Sequence, residues 1–304
     1  MPVPASSLSQ RGQFRALYNG LKSQKALDRV PVILCEGDSW FSTPLYMNML
    51  DWIVSPAPQD NEHGVPLLGQ GGLFFRAEHS GDQAIPQKEH PSRSMFTKDN
   101  VDDLVGWFGR FNFDAVLLSA GGNDFVDTWL QKTMAGQKNL SPQQAFDVIV
   151  ATGRFDDLRN AYALFLDTFH AAKPNVPILA HTYDYPRLIG SEAKLGLGNL
   201  GAAALLKKSI GPWIGPYIEP VIPGGLPARR AFVKLLIDGF AERVLEPLKA
   251  SARYGGMFDY VDLRGQLTRD DQWNDEMHPN EAGFHLLATV FRAALIAKLP
   301  PAKR

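Results

Sequence analysis

One cysteine, Cys35, stands in the whole 304-residue sequence, so no intrachain disulfide can staple the fold. It lies in the apolar run Val30-Pro31-Val32-Ile33-Leu34-Cys35. A small buried hydrophobe is its expected role, and such cysteine usage fits a cytoplasmic location. Charge of one sign is not in excess: 31 Lys and Arg stand against 32 Asp and Glu, for a net −1. Nothing in that balance would neutralise a phosphate backbone, which argues against a nucleic-acid partner. No uninterrupted apolar run reaches the ~18 residues that a membrane helix needs, so no transmembrane segment is expected. Residues 1–13 are polar and carry no apolar core of a signal peptide, although secretion by a non-classical route stays open. Also missing are Gly-x-Ser-x-Gly, His-Glu-x-x-His, Cys-x-x-Cys, a Walker A loop and a dinucleotide-binding glycine fingerprint. The ordinary α/β-hydrolase elbow is thereby disfavoured, and neither a metal nor an organic cofactor is expected. No internal repeat marks a solenoid or propeller.

What is present is ordinary globular composition, 45% apolar and 21% charged. Short apolar runs alternate with longer stretches of helical periodicity. The runs are Val30–Cys35, Gly64–Leu68, Phe113–Ser119, Val176–His181 and Phe258–Leu263. They are apolar on both faces, as suits a parallel sheet covered on both sides. Helices are expected at Asp102–Arg110, Pro142–Val150, Phe155–Ala172, Ala231–Ala252 and Glu281–Leu299, with Ser141 as an N-cap and Pro142 at the first helical position. The alternation predicts an α/β three-layer fold. The stretch 184–230 breaks the rhythm. It is rich in Gly, Pro and apolar residues, and with no clear linker it reads as an insert within a single domain spanning 1–304.

Three segments carry chemistry. The first expected strand runs into Glu36-Gly37-Asp38-Ser39-Trp40-Phe41. Ligand sites of open parallel sheets lie beyond the strands' carboxyl ends, where Ser39 would be a useful nucleophile. Read alone, Ser39 fits a helix N-cap equally well. The third strand ends in Ala120-Gly121-Gly122-Asn123-Asp124, where Asn123 offers a neutral amide donor, although a plain turn would use the same residues. Near the C-terminus stands Asp275-Glu276-Met277-His278-Pro279-Asn280. A carboxylate three residues before an imidazole can hold Nδ1–H and leave Nε2 free as a base; a helical ion pair or a solvated loop is the plainer reading. His63, His79 and His90 are scattered in a polar loop and read as solvated. His181 reads as a structural hydrogen-bonding residue at the end of strand four.

In this order, the three segments resemble the SGNH hydrolases, the GDSL-like esterases and lipases. The matching residues are Gly37-Asp38-Ser39, Gly121-Gly122-Asn123-Asp124 and Asp275-Glu276-Met277-His278. The resemblance spans about residues 30–298. It implies a flavodoxin-like sheet of five parallel strands, with Ser39, His278 and Asp275 as catalytic residues. The implied oxyanion donors are Ser39, Asn123 and a glycine after strand two. Ser80-Gly81-Asp82 matches best for that glycine, with Gly71 and Gly72 as rivals. Asp38 and Asp124 are expected to brace loops. The common leucine after the serine is Trp40 here. Trp40, Phe41 and Tyr183 are candidate substrate-binding residues, with Tyr46 and the insert's Trp213, Ile214, Tyr217, Ile218 and Ile222 as further apolar lining.

The expected substrate is a small-molecule or lipid carboxylic ester with an apolar acyl chain. The segment Leu195–Leu206, followed by Lys207-Lys208, suits a lid, transient membrane-surface contact or simple cover for the sheet. Two other readings remain: a carbohydrate O-deacetylase using the same machinery, or a non-catalytic binding protein that keeps the fold.

Overall fold

The computed structural model describes residues 11–55, 72–87, 93–192 and 211–304. Helix α1 (Arg11–Ser23) leads into β1 (Val32–Gly37), the single-turn α2 (Ser39–Ser42), α3 (Met49–Val54) and β2 (Leu73–Arg76). There follow α4 (Lys98–Arg110), β3 (Ala115–Ser119), a 3-10 turn at Gly122–Phe125, α5 (Asp127–Met134), α6 (Pro142–Ala151), α7 (Arg154–Ala172) and β4 (Ile178–His181). The last part holds α8 (Gly215–Ile218), α9 (Gly225–Phe240), a π turn at Ala241–Leu245, α10 (Glu246–Ala250), β5 (Phe258–Val261) and α11 (Glu281–Lys298).

The five strands among the described residues all pair in parallel in the order β2-β1-β3-β4-β5. Every residue of β1 and β3 is buried, which requires cover on both faces of the sheet. Aromatic contacts supply much of that cover. Phe14 of α1 meets Phe75 of β2 edge-on at 5.2 Å, Phe108 of α4 meets Phe169 of α7 at 4.7 Å, and Phe291 of α11 meets Phe41 at 6.1 Å.

The second strand among the described residues is Leu73–Arg76, which pairs with β1 so that Val32 lies opposite Leu73. The expected strand Gly64–Leu68 lies outside the described residues, as do His63, His90, Gly71 and Leu195–Lys208. Gly72 therefore precedes β2 rather than following it, which puts it at the wrong end of the strand for the site. Helix α6 begins as expected: Ser141 Oγ accepts from Gln144 N at 3.2 Å, and Gln144 Oε1 accepts from Ser141 N at 2.9 Å.

The expected helix Ala231–Ala252 starts earlier, at Gly225, and is broken by the π turn. Pro247 explains the break, because it has no N–H for the carbonyl of Arg243. That carbonyl instead accepts from the Arg159 guanidinium at 3.0 Å. Among the described residues, no helix is long and apolar enough to cross a membrane.

Candidate active site

The chain enters the sheet at β1, moves outward to β2, then crosses to β3 on the other side of β1. The carboxyl ends of β1 and β3 thus form the switch point where an open sheet leaves a crevice. Ser39 stands at the first of these ends and Asn123 at the second.

Ser39 is the first residue of α2, and Asp38 caps that turn by accepting from Trp40 N at 3.0 Å. Asp38 is buried and also accepts from Ser119 Oγ at 2.7 Å and from the Tyr183 hydroxyl. The same Tyr183 oxygen accepts from Gly122 N at 3.0 Å. One carboxylate and one phenol therefore tie the serine turn to the loop that carries Asn123.

Asp124 makes a second tie. It accepts from Ala84 N and Ile85 N, each at 2.9 Å, and so pulls the loop after β2 against the loop after β3. Asn123 Nδ2 donates to Asp82 O at 2.9 Å, and Gln83 Nε2 donates to Asn123 O at 3.0 Å. One hydrogen of the Asn123 amide is thus committed, and the other meets no acceptor among the described residues. Gly81, beside Asp82, has φ of 87°, a conformation that glycine adopts without cost. Gly81 N–H and Ser39 N–H likewise meet no acceptor among the described residues.

His278 lies in the loop before α11. Its Nε2 is 2.7 Å from Ser39 Oγ, and its Nδ1 is 3.0 Å from both oxygens of Asp275. Asp275 Oδ1 also accepts from Met277 N and His278 N, each at 2.7 Å, which winds the loop into a tight turn. Asn274 N donates to His278 O at 2.9 Å and closes it.

Burial works against a charged imidazole, but the charge and hydrogen bond of Asp275 outweigh it, with Asp38 and Glu276 adding. The His278 pKa is raised above its ordinary value. Burial pushes the Asp275 pKa up, and His278 with the two backbone N–H donors more than reverses this, so the carboxyl sits below the usual range. The pair is thus poised to hold a proton on the imidazole once it arrives there.

A cavity of about 600 Å³, counting its open mouth, opens beside Ser39 and Asn123. Trp40 and Tyr183 line it, as do Ile214 and Met277. Much of its wall comes from places the sequence did not point to: Phe125 and Val126 after β3, and Val233, Leu236, Ile237 and Phe240 on α9. Apolar residues at helical spacing look the same whether they face a core or a cavity.

Phe41 does not line the cavity. It is fully buried behind the serine turn, with its ring 5.6 Å from His181. Tyr46 donates to Pro279 O at 2.9 Å, and Ile218 and Ile222 are buried in the core. His181 is buried, stacks on Trp40 at 5.6 Å, and pairs its Nδ1 with Thr182 O at 2.8 Å. Burial lowers its pKa to about 4, so it stays neutral behind the site. Among the described residues, no group of three or more His, Cys, Asp or Glu side chains is arranged to hold a metal ion.

Five parallel strands in this order, with flanking helices, make an α/β fold that solved esterase and lipase structures share. The lipase Lip_vut3 from a goat rumen metagenome matches at a TM-score of 0.50 with 11% identity, over 87% of this chain and 97% of that one. A carbohydrate esterase family 3 protein from Talaromyces cellulolyticus matches at 0.46 with 14% identity, over 88% and 97%. An extracellular lipase from Streptomyces rimosus matches at 0.45 with 15% identity, over 86% and 99%. No family model matches the chain, and no curated protein does. At 11% identity the likeness to the rumen lipase speaks for the fold alone, and the chemistry has to be argued from the site.

Proposed function

We propose that this chain is a serine ester hydrolase that transfers the acyl group of a carboxylic ester to Ser39 and then to water. The observation that carries the reading is the hydrogen-bonded series Ser39–His278–Asp275 at the mouth of an apolar cavity that Asn123 shares.

In the first half-reaction, Ser39 Oγ attacks the ester carbonyl carbon while His278 Nε2 takes its proton. Asp275 holds Nδ1–H and stabilises the imidazolium. The negative charge that develops on the carbonyl oxygen is met by the N–H groups of Ser39 and Gly81 and by the Asn123 amide. Each such donor is worth about 2.7–4 kcal/mol in a preorganised site. The tetrahedral intermediate collapses, the ester C–O bond breaks, and His278 passes its proton to the departing alkoxide. Water, deprotonated by His278, then attacks the acyl carbon; Ser39 leaves as the alcohol and the acid is released.

The apolar wall contributed by α9 favours an acyl group with an apolar chain, as in a lipid or lysophospholipid ester. A series of p-nitrophenyl esters from acetate to palmitate, run on wild type and Ser39→Ala, tests both parts. Expected is hydrolysis that favours chains longer than acetate and collapses in the variant. A preference for acetate together with release of acetate from acetylated sugars would move the substrate to carbohydrate esters. Equal activity in the variant would remove Ser39 from the mechanism.

A further inference from the structure

Glu276 stands between the proposed base and its carboxylate partner in the sequence, yet takes no part in their hydrogen bonding. Its side chain is fully buried. Oε1 accepts from Ile214 N at 2.5 Å, and Oε2 accepts from Gly190 N at 2.8 Å and Gly215 N at 2.9 Å. No cationic side chain pairs with it among the described residues. Among the described residues it is held by backbone N–H groups, in the manner of an anion nest, and burial still keeps its pKa above the ordinary carboxylate value.

The donors come from two separate stretches of the insert, and these cross at the carboxylate. A Cβ on Gly215 would lie 2.3 Å from Gly190 Cα and 3.3 Å from Glu276 Oε2, so only glycine fits there. The stretch gripped at Ile214 does two things at the site. Ile214 lines the cavity, and the ring of Trp213 stands edge-on to His278 at 5.5 Å. Trp213 O accepts from Asp127 N at 2.9 Å, which anchors the stretch from the far side. One buried carboxylate therefore joins the loop that carries the base to one wall of the acyl cavity.

We propose that Glu276 is a positioning residue for acyl-chain selection: by holding Ile214 at the cavity and Trp213 against His278, it sets the width of the acyl site next to Ser39. The inference rests on the ester-hydrolase reading above. A carboxamide in its place keeps one acceptor oxygen and turns an N–H₂ towards backbone N–H donors, so the wall loses its anchor while Asp275 and His278 keep theirs.

The test compares wild type, Glu276→Gln, Gly215→Ala and Ile214→Ala. kcat and KM are measured on p-nitrophenyl acetate and octanoate, and amide hydrogen exchange is followed at 190 and at 213–215. Glu276→Gln and Gly215→Ala are expected to lower the octanoate-to-acetate ratio of kcat/KM at least tenfold, chiefly through KM for octanoate. Exchange at Gly190 and Ile214 should quicken in both while β1 and β3 stay protected. Ile214→Ala trims the wall without touching the anchor and should lower the same ratio.

Equal losses on both esters would mark Glu276 as a general structural residue and overturn the proposal, as would unchanged exchange or an unchanged ratio in Ile214→Ala. A wild type with no Ser39-dependent hydrolysis would fail the ester-hydrolase reading instead. Acyl-chain selection would fall with it, and the exchange data would still decide whether Glu276 anchors the wall.

Discussion

Asp275→Asn changes one atom and should stop the reaction. Oδ1 of Asp275 accepts from two backbone N–H groups at 2.7 Å, so the amide oxygen of the replacement is held at that position. The amide nitrogen must then take the place of Oδ2, 3.0 Å from His278 Nδ1, while the amide oxygen, equally close to Nδ1, is already occupied by the two backbone donors. Two donors cannot face each other, so Nδ1 gives up its proton and Nε2 carries it. In that tautomer Nε2 has no lone pair for the Ser39 hydroxyl, which lies 2.7 Å away. The equivalent change in another serine hydrolase with this arrangement costs about 10⁴ in kcat. At 1.36 kcal/mol per tenfold this is about 5 kcal/mol of lost transition-state stabilisation. The loop itself should survive, because both backbone donors keep their acceptor. Steady-state rates on a p-nitrophenyl ester from pH 6 to 9, with a thermal melt of each protein, make the comparison. A well-folded variant within tenfold of wild type would refute the orientation of His278 by Asp275.

Three further outcomes follow from the same geometry. Asn123→Ala removes a donor to the oxyanion and should lower kcat about 10²–10³-fold with little change in KM; a loss confined to KM would place Asn123 in ground-state binding instead. The raised His278 pKa fixes the sign of the pH dependence, since the base works only when neutral and a raised pKa keeps it protonated to higher pH. kcat/KM should therefore fall as pH drops through a midpoint above 6.5, and a limb centred below 6.5 would contradict the Asp275–His278 coupling. Leu236→Trp fills part of the cavity and should shift the chain-length preference towards acetate by tenfold or more. A melt accompanies that measurement, because overpacking costs about 1–3 kcal/mol.

The parts of the site that could be read from the sequence are those where backbone position and side-chain chemistry coincide. Ser39 and Asn123 follow apolar runs that became β1 and β3, and Asp275 and His278 sit just before a strongly periodic final helix. The second strand was hidden because Leu73–Arg76 is only four residues long and follows a glycine-rich stretch. Helix α1 was hidden because only Phe14 and Tyr18 of its thirteen residues are buried, leaving a polar segment with a narrow apolar stripe. The cavity wall on α9 gave no separate signal, since the stripe of Val233, Leu236 and Phe240 would equally cover a sheet. Glu276 gave none either. A glutamate in a polar loop normally points to water, and its burial depends on three backbone donors that the fold brings from elsewhere.

The central claim is that Ser39 is the nucleophile, and covalent capture tests it most directly. An alkyl fluorophosphonate accepts attack from an activated serine oxygen at phosphorus, with fluoride leaving, and the product is stable enough for intact mass measurement and peptide mapping. The account predicts one phosphonyl adduct per chain, located on the peptide holding Ser39, absent in Ser39→Ala and strongly slowed in His278→Ala. Folded wild-type protein that takes up no label, or label that persists on another residue in Ser39→Ala, would contradict it.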